Sequence, residues 1–95
     1  MSLEELASKY IDTADYVLKR MQVVENPIGL STGGIGKVIE HAKAYLDDAK
    51  YYRDKRGFEV SLTSVAYCEG LLDALRMLGA VKFEWPAKPQ PQKEK

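Results

Sequence analysis

The stretch Ala66-Tyr67-Cys68-Glu69-Gly70-Leu71-Leu72-Asp73-Ala74-Leu75 decides how this chain folds. Its apolar positions recur at helical spacing, so it reads as the middle of a helix whose seam is Leu62, Val65, Cys68, Leu72 and Leu75, with Leu71 and Leu78 on a flank. That helix is predicted over about 59–78, with Gly79 in the stop position. It is the most apolar segment of the chain and is expected to be the most buried. Two carboxylates, Glu69 and Asp73, and a glycine, Gly70, interrupt it where ordinary core residues would serve. A glycine inside a helix costs about 1 kcal/mol relative to alanine, which predicts that another helix backbone packs closely at Gly70.

Working back along the chain, a second helix is predicted over about 34–56. Ile35, Val38, Ala42, Tyr45, Ala49 and Tyr52 form its seam, widened by Ile39 and Leu46. Its other side carries Lys37, Glu40, Lys43, Asp47, Lys50 and Asp54, a ladder of alternating sign that suits a solvated face. Lys55 and Arg56 favour the negative end of the helix, and Gly57 is expected to adopt the left-handed conformation that stops it. The connection to the next helix is so short that the two must form an antiparallel hairpin.

A first helix is predicted over about 2–25. Ser2 and Glu5 have the spacing of a capping box, and Leu3, Ala7, Tyr10, Ala14, Val17, Met21 and Val24 form one stripe. Asn26-Pro27 is expected to end it, because proline disfavours the helical conformation in the residue before it. At the other end, Val81, Phe83 and Trp85 alternate with Lys82 and Glu84, so this strip is expected to lie extended across the end of the bundle. Residues 86–95 hold prolines, lysines and glutamines with nothing to bury and are expected to be disordered, their Pro86-Ala87-Lys88-Pro89 matching the bare PxxP pattern. The fold class predicted is all-α: an antiparallel three-helix bundle over 1–85 with a short extended strip and a tail.

Composition narrows the chemistry. Ninety-five residues allow one domain, and the 45% apolar and 29% charged content is that of a folded protein. Fourteen basic residues balance fourteen acidic ones, so long-range attraction to phosphate backbones or anionic lipid is missing, and neither nucleic acid nor membrane is expected as a partner. No basic leader precedes an apolar run and no run approaches the roughly 20 apolar residues that span a bilayer, which predicts a cytoplasmic location. Cys68, the sole cysteine, reads as a small core residue, because a nucleophile needs an adjacent base and the sole histidine lies on another helix.

The segment Ser31-Thr32-Gly33-Gly34-Ile35-Gly36-Lys37 has the glycines, hydroxyls and lysine of a phosphate cradle. It fails the P-loop pattern, since Ser31 stands where a glycine is needed and Val38 where Ser or Thr would reach magnesium. Gly33, Gly34, Gly36 and Lys37 therefore remain candidates only for a small anionic ligand. His41 lacks the glutamate three residues earlier that a di-metal carboxylate bundle requires, Val38 being there instead, so no metal and no cofactor is expected. Glu69 and Asp73 lie one turn apart on a face shared with Arg76. A pair of carboxylates so placed could do acid–base work, but Tyr45, Asp48 and Tyr52 on the second helix would meet Tyr67 and Glu69 across the hairpin. The reading preferred is a structural polar network of Tyr45, Asp48, Tyr52, Tyr67, Glu69, Asp73 and Arg76 that fixes helix pairing, with no catalytic residue.

Ala44-Tyr45-Leu46-Asp47-Asp48-Ala49-Lys50-Tyr51-Tyr52 and Ala66-Tyr67-Cys68-Glu69-Gly70-Leu71-Leu72-Asp73-Ala74-Leu75, with Leu78-Gly79 and Trp85 following, resemble the archaeal Domain of Unknown Function 357 family. The resemblance spans the second and third helices and, more loosely, the first. It implies a three-helix bundle from an archaeal cytoplasm and carries over no catalytic residue. A non-catalytic interaction or accessory module, self-associating or bound to a protein partner, is the function expected first, because Leu71, Leu78, Phe83 and Trp85 exceed what three helices cover. A small anionic-ligand or nucleotide-binding accessory domain comes second, and an enzyme using Glu69 and Asp73 a distant third.

Overall fold

The structure, a computed structural model, describes residues 1–25 and 29–86. Three helices, α1 (Leu3–Arg20), α2 (Thr32–Asp54) and α3 (Phe58–Met77), carry the fold, and two short strands, β1 (Gln22–Val23) and β2 (Val81–Lys82), pair antiparallel beside them. The expected Asn26-Pro27 stop and the tail beyond Pro86, with its PxxP pattern, lie outside the described residues.

Local chemistry sets most boundaries. The capping box forms as the spacing requires: the Ser2 amide donates to Glu5 Oε1 at 2.9 Å, and the Glu5 amide donates to Ser2 Oγ at 3.1 Å. Helix α1 stops at Arg20, well short of the predicted 25. Met21 turns extended, and Gln22 and Val23 pair with Lys82 and Val81, while the Val24 amide donates to the Ala80 carbonyl at 2.9 Å. A helical stripe and a strand partner competed for these residues, and the strand partner came from sixty residues away, beyond the reach of local pattern.

Helix α2 begins at Thr32, two residues earlier than predicted, because Ser31 caps it: its Oγ accepts from the Gly34 amide at 2.9 Å. At its other end the left-handed residue is Arg56, at φ 65, and not Gly57, at φ −88. The Arg56 amide donates to the Arg53 carbonyl and the Gly57 amide to the Tyr52 carbonyl, which is the Schellman closure. The glycine lies one position too late to take the strained conformation and instead starts α3, its carbonyl accepting from the Ser61 amide at 2.9 Å. Helix α3 ends as expected, with Gly79 at φ 78 and the Ala80 amide donating to the Leu75 carbonyl.

The core is a seam of small and branched side chains. Ile11, Ala14 and Val17 of α1 meet Ala42, Leu46 and Ala49 of α2 and Val65, Cys68 and Leu72 of α3, all buried. The alanines let helix axes approach, and the branched residues fill what remains. A smaller cluster of Ile35, Leu75, Ala80 and Val81 closes the end that carries the strands. Ser61 is buried on the α2 side, where its hydroxyl donates to the Ala49 carbonyl at 2.7 Å. Several predicted seam residues are displaced: Leu62 is half-buried, and Leu3 and Tyr52 are exposed, because α2 buries Leu46 in preference to Tyr52.

Candidate functional site

An open groove runs beside the contact of α1 with α3. Thr13 of α1 and Ala66, Glu69, Gly70 and Asp73 of α3 line a hollow of about 370 Å³, bounded at its end by Trp85 and Pro86. A second hollow of about 380 Å³ continues along the same side past Tyr10 and Leu62, sharing Ala66 and Glu69 with the first. Small residues make the groove, since Ala66 and Gly70 place no bulk between the helices and the solvent.

Of its two carboxylates, Asp73 has one oxygen shared among three donors. Its Oδ1 accepts from Trp85 Nε1 at 3.1 Å and from Arg76 Nη2 and Nε at 3.2 and 3.3 Å. The Trp85 hydrogen bond, followed by those of Arg76, holds the Asp73 carboxyl below the usual carboxylate range. Such a group stays ionised and accepts, which is the wrong direction for a general acid. Behind the groove, burial, reinforced by the adjacent Glu69 charge, pushes the Cys68 thiol up from 9.0 to about 12, which removes the thiolate a nucleophile needs.

Residues predicted to form one polar network fall into separate contacts. Tyr45 and Tyr67 meet edge to face across the hairpin with centroids 4.4 Å apart, and Tyr52 pairs with the neighbouring Tyr51 ring. Asp48 is exposed, and Asp73 and Arg76 turn to Trp85 and away from α2. The two tyrosines thus join α2 to α3 through their rings, and the carboxylates belong to the α1 side of α3. Trp85 as the partner of Asp73 was missed, although the alternation through Phe83 and Trp85 already aimed that strip at the bundle.

Gly70 is the clearest correction. It is exposed, and a Cβ built there meets nothing within 4 Å, so no helix backbone presses on it. The residues around it form the solvent side of α3: Val60, Thr63, Ala66, Tyr67, Gly70 and Met77 are exposed, Leu78 at the cap continues the strip, and Glu59 at the first turn is the one exposed charge. Val60 is 48% exposed, Tyr67 50%, Met77 73% and Leu78 61%. The outer faces of the other helices carry more charge. Helix α1 shows Glu4, Glu5, Asp12, Lys19 and Arg20 beside Leu3 and Tyr16, while α2 shows Lys37, Glu40, Lys43, Asp47, Asp48 and Asp54 beside Tyr51 and Tyr52. A helix with a second apolar side beyond the one that faces the core offers that side to a neighbour.

The glycine-rich start of α2 is already occupied by its own cap. The Gly34 amide is bound to Ser31 Oγ, the Ile35 amide to the Ser31 carbonyl, and a Cβ on Gly34 would come within 2.8 Å of that hydroxyl. Gly36 and Lys37 lie inside the helix, where amides bind the carbonyl four residues back. Gly33, Gly36 and Lys37 line a shallow surface beside Glu40 and His41, and His41 Nδ1 lies 3.2 Å from the Lys37 carbonyl. Among the described residues no three His, Cys, Asp or Glu side chains gather into a metal-holding group, and no helix is long and apolar enough to cross a membrane.

A family model described as Protein of unknown function (DUF357) matches residues 9–81, which takes in the last two thirds of α1, β1, the hairpin of α2 and α3, and the start of β2. No curated protein and no solved structure matches the chain.

Proposed function

The chain belongs to the DUF357 family of proteins of unknown function, and from that premise we propose that it is a non-catalytic helical interaction module whose docking surface is the outer face of α3. The observation that carries this reading is the contrast among the three solvent faces: those of α1 and α2 mix Leu3, Tyr16, Tyr51 and Tyr52 with many charges, and that of α3 exposes Val60, Tyr67 and Met77, with Leu78 at its cap, beside Glu59 alone. Non-catalytic use is supported by the groove, where Asp73 is held ionised by Trp85 and Arg76 and Cys68 is buried as a thiol. A balanced net charge favours a protein partner over nucleic acid or a membrane, in keeping with a cytoplasmic role.

The test is affinity capture from an extract of the native host, comparing the wild-type chain with a Val60→Lys/Met77→Lys variant. Both positions are exposed, so the variant keeps the helical signal and cooperative melting of the wild type. The expected result is a protein identified by mass spectrometry that the wild type retains and the variant loses. Equal retention by both, or none by either, would refute the α3 face as the docking surface.

A further inference from the structure

The strip after β2 is already directed into the groove beside α1 and α3. The Arg76 guanidinium lies over the Phe83 ring, 5.8 Å from its centroid, and Trp85 Nε1 donates to Asp73 at 3.1 Å. From Phe83 to Trp85 the chain therefore heads back along α3, toward the N-terminus of that helix. Trp85 and Pro86 then form the end wall of the first hollow. The groove continues in the same direction. Its lining passes from Asp73 through Glu69 and Ala66 to Leu62 on α3, and from Thr13 to Tyr10 on α1. The residues that follow Pro86 in the sequence, Ala87-Lys88-Pro89-Gln90-Pro91, thus start at the mouth of the groove with its open length ahead of them.

We propose that residues 87–91 of this chain fill that groove, running antiparallel to α3, with Lys88 at Glu69 and the prolines against Tyr10 and Leu62. Length agrees with it. Asp73 and Leu62 lie roughly 16 Å apart along the helix axis, and the steps from Trp85 to Pro91, at about 3.1 Å each in the polyproline conformation, cover roughly 19 Å. Charge agrees as well. The groove lining carries Glu69 and Asp73 and no basic side chain, whereas residues 87–95 hold Lys88, Lys93 and Lys95 against Glu94 alone. In this register Lys88 falls about 9 Å beyond Trp85, within side-chain reach of Glu69, which lies one turn from Asp73. Pro89 and Pro91 come beside Ala66, Tyr10 and Leu62, the aromatic and apolar surface that takes proline rings. So short a tether from Trp85 holds the segment at an effective concentration on the order of millimolar, so modest contacts suffice to seat it. None of Val60, Tyr67 and Met77 lines the groove, so this occupant is separate from a partner on the outer face of α3.

A nitroxide attached to Gln90→Cys in the full chain tests this, with backbone amide intensities read by NMR before and after the label is reduced. Cys68 is buried and does not compete for the label. The expected result is that the Tyr10, Leu62 and Ala66 amides lose most of their intensity, while those of Glu40 and Asp47 on the outer face of α2 keep theirs. Two further labelled chains remove the docking without touching the core: Ala66→Leu puts bulk into the groove at an exposed position, and Lys88→Glu reverses the charge that meets Glu69. Each should restore the Tyr10 and Leu62 intensities several-fold at an unchanged circular dichroism spectrum. Broadening that fades evenly with distance from Pro86, and that neither substitution alters, overturns the proposal. Mixing a spin-labelled chain with an isotope-labelled chain that carries no nitroxide separates the remaining case. Broadening of Tyr10 and Leu62 in that mixture as strong as within one chain overturns the assignment to the chain's own segment, because the groove would then hold the segment of a second copy.

Discussion

Replacing Gly70 by alanine should stabilise this protein, and the structure supplies the size of the effect. Gly70 lies well inside α3, is exposed, and has no atom within 4 Å of where the new Cβ would be, so the methyl group costs nothing in packing. What remains is the helix preference of alanine over glycine, about 0.8–1.0 kcal/mol, part of which is the lower backbone entropy of the unfolded alanine chain. For a domain of this length, about 1 kcal/mol corresponds to a rise in Tm of about 4–8 °C. With an ordinary urea dependence of about 1–3 kcal/mol per molar, the midpoint should move up by roughly 0.3–1 M at constant slope. The measurement is urea unfolding followed by circular dichroism. Two other glycines provide the contrast. Gly34→Ala gains the same helix preference but forces Ser31 Oγ off its cap, worth about 1 kcal/mol, so its net change is near zero. Gly79→Ala places a side chain at φ 78 and destabilises by about 1 kcal/mol. A Gly70→Ala protein less stable than the wild type would show that a neighbour does pack on Gly70, and the open outer face of α3 would have to be abandoned.

Two further outcomes follow from titrating groups. The Cys68 thiol ionises near 9.0 when exposed and near 12 in the fold, so between these values the unfolded state binds fewer protons, and stability falls as pH rises, by up to about 1.4 kcal/mol per pH unit. Tyrosines ionise in the same window, so the quantity to measure is the difference between the alkaline unfolding profiles of the wild type and Cys68→Ala; parallel profiles would contradict a buried thiol. Asp73 has a folded pKa below 3.8, so its contribution is present above the ordinary carboxylate value and is lost as pH falls through the folded one. Trp85 is the sole tryptophan and donates to that carboxylate, so its fluorescence should change with a midpoint below pH 3.8, and the change should vanish in Asp73→Asn. A midpoint at or above 3.8, or its survival in the variant, would count against the contact.

Three helices, the capping box of α1, the glycine stop of α3 and the hairpin of α2 and α3 were determined by sequence alone, because they rest on residues a few positions apart. Ser2 reaches Glu5 and Gly79 closes α3 whatever surrounds them. The buried set Ala14, Val17, Ala42, Ala49, Val65, Cys68 and Leu72 was legible for the same reason, since period and apolar character identify a seam. What only the tertiary structure decided is what each polar or small interruption faces. Residues 22–24 left the helical stripe for a partner at 80–82, and Asp73 found Trp85 on a strip that the alternation aimed at the bundle without saying which side chain it would meet. Gly70 shows the physical reason most directly. Periodicity states that a glycine occupies one side of a helix, but on a helix with apolar residues on more than one side it does not state which side the neighbours leave open. Only the placement of α1 and α2 against α3 turned Gly70 from an expected close contact inside the bundle into the open centre of its outer face.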